Sequence, residues 1–212
     1  MLGSGRMTDL LAVDFTDDHL KLVHAKPLGR KVEICNVDHQ RIESGSEDDY
    51  VEHLRRLVKR FKAKSREVIC VVPARSFISK NVDMPSMDRE EIRKIVDLQA
   101  NRYTPYSRDE IVFDHICVDT PGQHYTNVLL IIMNRKLVEK YCRIIERAGF
   151  GLSYIRIASE GMASAYREIA KLDAESDSIG GIHIDSDNSD FMIIDRIREA
   201  GFDRIYFEKE LP

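Results

Sequence analysis

The chain has 212 residues, a net charge of −4 and a pI near 6.0, enough length to bury one core or two small ones. Its basic residues are scattered, which argues against a nucleic-acid surface. No apolar run approaches the roughly 20 residues that span a bilayer, and the N-terminus lacks the apolar stretch of a signal peptide. The cysteines Cys35, Cys70, Cys117 and Cys142 form no close pair, so they read as buried thiols in a reducing cytosol, with no metal site.

Residues 1–6 carry Gly3-Ser4-Gly5 ahead of a second methionine and read as an expression leader, with Met7 as the native start. "LLAVDF", "HLKLVHA" and "KVEICNVDHQRI" predict three strands, the last two by period-two alternation. "SEDDYVEHLRRLVKRFKAK" predicts a helix capped by Ser46, acidic at its start and basic at its end. Its apolar stripe is Tyr50, Leu54, Leu57, Val58 and Phe61, and its basic run from Arg55 to Arg60 reads as a solvated face. "REVICVVPA" is continuously apolar, as expected of a central strand buried on both faces.

"FISKNVDMP" predicts another strand, and "SMDREEIRKIVDLQANRY" a helix with Asp88 and Glu91 at capping-box spacing. Pro105 ends that helix. Two strands follow, "IVFDHICVD" and "TNVLLIIMN", and then the helix "RKLVEKYCRIIERAG", stopped at Gly149. "LSYIRIA" predicts a strand and "SEGMASAYREIAKL" a helix. The remainder reads as strand, polar loop, strand, tight turn and strand.

The seven histidines show no metal-ligand spacing, and no nucleophile motif stands beside them, so no catalytic residue is assigned. The loop Asp185-x-Asp187-x-Ser189 fails as an EF-hand, because Asp190 stands at the glycine position and Arg196 at the bidentate glutamate position.

Two segments share one plan. Leu11-Ala12-Val13-Asp14 and Ile182-His183-Ile184-Asp185 each read as a strand ending in aspartate, then a polar turn and a return strand. This resembles the paired phosphate hairpins of actin-like ATPases. The resemblance implies that Asp14 and Asp185 would organise Mg²⁺ and Lys21 would approach phosphate. Thr16 and Asp187 stand where that family carries glycine, and Asp17 and Asp18 add carboxylates to the first loop. One like-charge contact with a triphosphate costs on the order of 1–4 kcal/mol. A vestigial nucleotide site is therefore expected.

The segment from Ala74 to Asp119 resembles the strand–helix–strand–strand (SHS2-type) insert of PilM, the FtsA-like protein of type IV pilus machines. "LQANRYTPY" followed by "DEIVFD" carries most of that likeness, and "VLLIIMNRKLVEKYCRIIERAGFGLSYIRIASEGMASAY" continues it. The resemblance implies an α/β fold. An actin-like (ribonuclease H-like) subdomain with a mixed sheet would comprise residues 7–74 and 152–212, the insert residues 75–151, and the second actin lobe would be absent. It also implies a cytoplasmic scaffold, peripheral to the inner membrane, that receives the tail of a PilN-like membrane partner. The receiving groove would be lined by Pro73, Ala74, Arg75, Arg156 and Ala158. Two alternatives stay open. One is a GspL-like module docking a secretion ATPase; the other is an active ATPase that binds Mg-ATP once a longer native chain supplies the missing lobe.

Overall fold

The computed structural model describes residues 9–16, 18–28, 31–43, 45–118, 125–170, 179–184, 189–196 and 203–208. In chain order its elements begin with β1 (Leu10–Phe15), β2 (His19–Leu28), β3 (Lys31–Arg41), α1 (Glu47–Phe61), β4 (Glu67–Val72), β5 (Phe77–Met84) and α2 (Arg89–Gln99). They continue with β6 (Ile111–Val118), β7 (Thr126–Asn134), α3 (Arg135–Arg147), β8 (Gly151–Ile157), α4 (Ala158–Ala170), β9 (Ile179–Ile184), β10 (Ser189–Arg196) and β11 (Asp203–Glu208). The chain divides into two compact units, residues 1–73 with 137–157 and residues 74–136 with 158–212.

The first unit holds a mixed five-stranded sheet in the order β3-β2-β1-β4-β8. β1, β2 and β3 form an antiparallel meander, while β4 runs parallel to both β1 and β8. Strand alternation sends Leu11, Val13, Phe15, Leu20, Leu22, Val68, Cys70 and Val72 to buried positions. Phe15 is ringed by Tyr50 of α1, edge-on at 5.6 Å, and Tyr141 of α3, stacked at 5.3 Å.

α1 starts where Ser46 accepts the Asp49 N–H at 3.2 Å, and it buries Tyr50, Val51, Leu54, Leu57 and Val58. Its arginines are less free than the solvated-face reading expects. Arg55 donates to the carbonyls of Arg147 and Ala148, and Arg60 pairs with Asp38.

The second unit contains the antiparallel sheet β5-β7-β6. Met84, Ile92, Val96, Ala100, Ile111, Val128, Leu130 and Ile132 make its core, with α2 contributing Ile92 and Val96. Asp88 caps α2 by accepting from Glu90 and Glu91 N–H groups. The return arm differs from a simple capping box, because Glu91 accepts from the Ser86 hydroxyl, which itself accepts the Asp88 N–H. The helix then tightens into a 3-10 turn, Ala100–Tyr103, ahead of Pro105.

The structure departs from the sequence reading at four further points. β4 alternates in burial instead of being sealed on both faces, with Ile69 and Val71 half-buried. Of the four cysteines only Cys70 is buried; Cys35, Cys117 and Cys142 are intermediate. α3, assigned to the insert from sequence, packs with the first unit from Leu137 onward. It uses Tyr141, Ile144 and Ile145, and its Arg143 and Arg147 reach Glu47 and Asp48 of α1. β9, β10 and β11, expected in the actin-like subdomain, pair with one another in a sheet separate from the five-stranded one. The proposed leader, residues 1–6, lies outside the described residues.

Candidate functional site: the first hairpin loop

The β1–β2 hairpin places Asp14 directly opposite Lys21, and their charges meet at 3.7 Å. The resemblance gives these two residues separate roles, the aspartate on Mg²⁺ and the lysine near phosphate; here they pair with each other. Between the strands, Thr16 closes the loop on itself. Its N–H donates to the His19 carbonyl at 2.9 Å, and its hydroxyl accepts the His19 N–H at 3.0 Å. The same hydroxyl lies 3.1 Å from the His19 carbonyl. Thr16 keeps an ordinary φ, so the loop's path does not call for glycine there.

Tyr50 fastens the loop from outside by donating to the Thr16 carbonyl at 2.5 Å. No signal in the sequence pointed to this tyrosine beyond its place on the apolar stripe of α1. Asp18 pairs with His19 at 2.7 Å, and that contact holds its carboxyl below the usual range against some desolvation. The Asp18 carbonyl also takes the Ile42 N–H at 2.7 Å, which ties the loop to the end of β3.

In a phosphate hairpin the loop N–H groups must point at phosphate oxygens. Here the Thr16 and His19 N–H groups are both satisfied inside the loop, and Asp14 and Asp18 bring negative charge. Of the described loop amides, those of Thr16 and His19 are thus spent within the hairpin. Asp17, Asp185 and Asp187, the remaining residues expected at the two phosphate loops, lie outside the described residues.

The residues expected to receive a partner sit where the chain leaves the five-stranded sheet. β4 and β8 end in register, with Val71 opposite Arg156 and Val72 opposite Ile157. Pro73 therefore follows one strand and Ala158 the other, at the same end of the sheet. Pro73, Ala74 and Arg75 are half-buried, and Arg75 lies in the 3-10 turn Ala74–Ser76. Arg156 is exposed, with its guanidinium 5.4 Å from the centre of the Tyr154 ring.

Among the described residues, no group of three or more His, Cys, Asp or Glu side chains could hold a metal ion. No described helix is long and apolar enough to cross a membrane.

The family model of the type IV pilus assembly protein PilM matches residues 13–198. No curated protein matches the chain in sequence. Among solved structures, the PilM–PilN type IV pilus biogenesis complex superposes with a TM-score of 0.77 at 16% identity, over 97% of this chain and 62% of that one. The cytoplasmic domain of EpsL, an inner-membrane component of the Vibrio cholerae type II secretion system, gives a TM-score of 0.58 at 9% identity. That match covers 95% of this chain and 71% of that one. A Bacteroides thetaiotaomicron protein with an actin-like ATPase fold gives 0.52 at 8% identity, over 97% of this chain and 72% of that one. The α/β fold is thus actin-like. The chain spans 62% of the length of the chain that it matches in the PilM–PilN complex.

Proposed function

The chain belongs to the PilM family of type IV pilus assembly proteins, and from that premise we propose that it is a cytoplasmic scaffold of a pilus or secretion assembly platform. It receives the tail of a PilN-like inner-membrane partner, and it does not depend on nucleotide turnover. The observation that carries this reading is the self-closed first loop, in which the Thr16 and His19 N–H groups are bonded to the loop's own atoms. A loop so closed has lost its grip on phosphate, yet it still braces β1 and β2 for a scaffold's work.

The tail binds at the residues where the chain leaves the sheet: Pro73, Ala74, Arg75, Arg156 and Ala158. An extended tail gains backbone hydrogen bonds there, with pockets for alternate side chains.

Calorimetry tests both halves of the reading. Mg-ATP titrated into this chain, and into any longer native form, gives no binding heat. A synthetic peptide of the PilN-like partner's cytoplasmic tail does bind, and Arg75→Glu weakens it about tenfold without altering the circular dichroism. Micromolar Mg-ATP binding by a longer form would sink the scaffold reading. Unchanged tail affinity in the folded variant would remove Arg75 from the site.

The resemblance to GspL leaves a second reading, in which the chain docks a secretion ATPase. Co-purification of the motor ATPase without any PilN-like partner would favour it.

A further inference from the structure

β3 is the outermost strand of the five-stranded sheet, and its outer edge carries an unusual set of side chains. Val32, Ile34 and Val37 are 57%, 66% and 66% exposed. In a regular strand Val37 would point away from Val32 and Ile34, because faces alternate. The register with β2 shows why it does not. Asn36 pairs with His24 and Ile34 with Ala25, so Cys35 is an extra residue, a bulge. Val37 pairs with Val23, on the same face as Ala25 and Pro27, which pair with Ile34 and Val32. The bulge gathers three exposed aliphatic side chains onto one face of an open edge.

The backbone follows the same parity. His39 donates its N–H to the neighbouring Asp38 carboxylate at 2.7 Å, so odd-numbered residues after the bulge turn their amides outward. Val37 shares that direction. Because of the bulge, so do Ile34 and Val32.

We propose that a second copy of this chain pairs with the outer edge of β3, antiparallel and about a two-fold axis at Ile34–Cys35, joining two five-stranded sheets into one. One register sets apolar against apolar and basic against acidic side chains. Val32 then faces Val37 of the partner copy as a hydrogen-bonded pair. Glu33 faces Asn36, and Lys31 faces Asp38 as a closer, non-hydrogen-bonded pair of opposite charge. All these contacts occur twice. The bulge makes the match work, since without it the facing residues would lie on opposite faces of the sheet. The pairing stops at Asp38 because the next outward amide, the His39 N–H, is already taken by the Asp38 carboxylate, which Arg60 of the same copy also approaches.

Sedimentation equilibrium of the 212-residue chain, as a concentration series, tests the proposal. The chain dimerises reversibly, and Val37→Glu, an exposed position, weakens the dimer about tenfold or more. Cys35 of each copy lies beside the axis, so mild oxidation with copper phenanthroline yields a disulfide-linked dimer that Cys35→Ala abolishes. Charge exchange separates self-pairing from any other partner. Lys31→Asp and Asp38→Lys each weaken association alone, whereas mixing the two variants restores a dimer containing one of each. A monomer at every concentration with no Cys35 cross-link overturns the proposal. So does a dimer indifferent to Val37→Glu, which would be built on another surface. Tail binding and Mg-ATP binding are separate readouts, so failure here leaves the scaffold reading standing.

Discussion

Asp9 is 5% exposed at the head of β1, where its carboxylate accepts the Lys64 N–H at 2.5 Å and lies 3.6 Å from His24 Nε2. His24 is itself buried, meets the Asn36 amide at 3.1 Å through Nδ1 and stacks near Phe61. Four chain segments thus meet at one polar knot: the start of β1, the middle of β2, the bulged stretch of β3 and the loop after α1. The Lys64 N–H is the main influence holding the Asp9 carboxyl below its usual value; burial opposes it, and His24 and Lys26 assist. A carboxyl depressed in the folded state stabilises the fold above its unfolded value of about 4, and that contribution disappears as the pH falls through the lower folded value. Asp9→Ala should cost about 1–3 kcal/mol near neutrality, because it strands a buried donor. The same variant should lose stability less steeply between roughly pH 5 and pH 2. Urea midpoints measured across that range check both effects. A variant whose pH profile parallels the parent's would show that Asp9 is not the titrating group.

Helix ends make up the next scale. α3 stops at Gly149, which adopts φ +90°, while the Gly149 N–H reaches the Glu146 carbonyl at 2.9 Å and the Phe150 N–H that of Ile145 at 3.1 Å. Nothing lies within 4 Å of where a Cβ would stand, so Gly149→Ala tests backbone strain with no clash. It should cost about 1 kcal/mol. Ser46→Ala at the start of α1 should cost a similar amount, about 0.5–2 kcal/mol, by releasing the Asp49 N–H. Chemical denaturation reads both, and a Gly149→Ala variant as stable as the parent would contradict the left-handed end.

These ends were legible in the sequence because a cap is a local event: Ser46, Asp88 and Gly149 act within a few residues of themselves. The second arm at Asp88 was misread because Ser86, two residues upstream, competes for Glu91. The Cys35 bulge left no mark in the sequence, since an extra residue shows only against a partner strand. β4 misled for a related reason. A continuous apolar run does not reveal that Ile69 and Val71 stay half-buried while Val68, Cys70 and Val72 are sealed. At the hairpin loop the threonine in place of glycine was visible, whereas the ion pair of Asp14 with Lys21 was not, since the resemblance assigned those residues to Mg²⁺ and phosphate. That the Thr16 hydroxyl satisfies the His19 N–H, and that Tyr50 holds the Thr16 carbonyl, required the folded geometry.

For the whole molecule, order along the chain and membership of a core part company. α3 follows the insert's last strand without a break, yet its apolar face serves the first unit, because Tyr141 stacks on Phe15 and its arginines answer acids at the start of α1. The insert keeps a core of its own, and every residue of that cluster lies between Met84 and Ile132. Ile132 is 1% exposed there, so Ile132→Ala should cost about 2–5 kcal/mol through lost burial and an unfilled cavity. Because the described cluster is drawn from the second unit's own residues, the loss should be local. Native-state hydrogen exchange should show faster amides in β5, β6, β7 and α2, with little change in β1, β2 and β4. Leu54→Ala, in α1, should give the reverse pattern at comparable cost. Equal acceleration of both units by either substitution would mean that the chain unfolds as one cooperative body, and that division into two cores does not govern its stability.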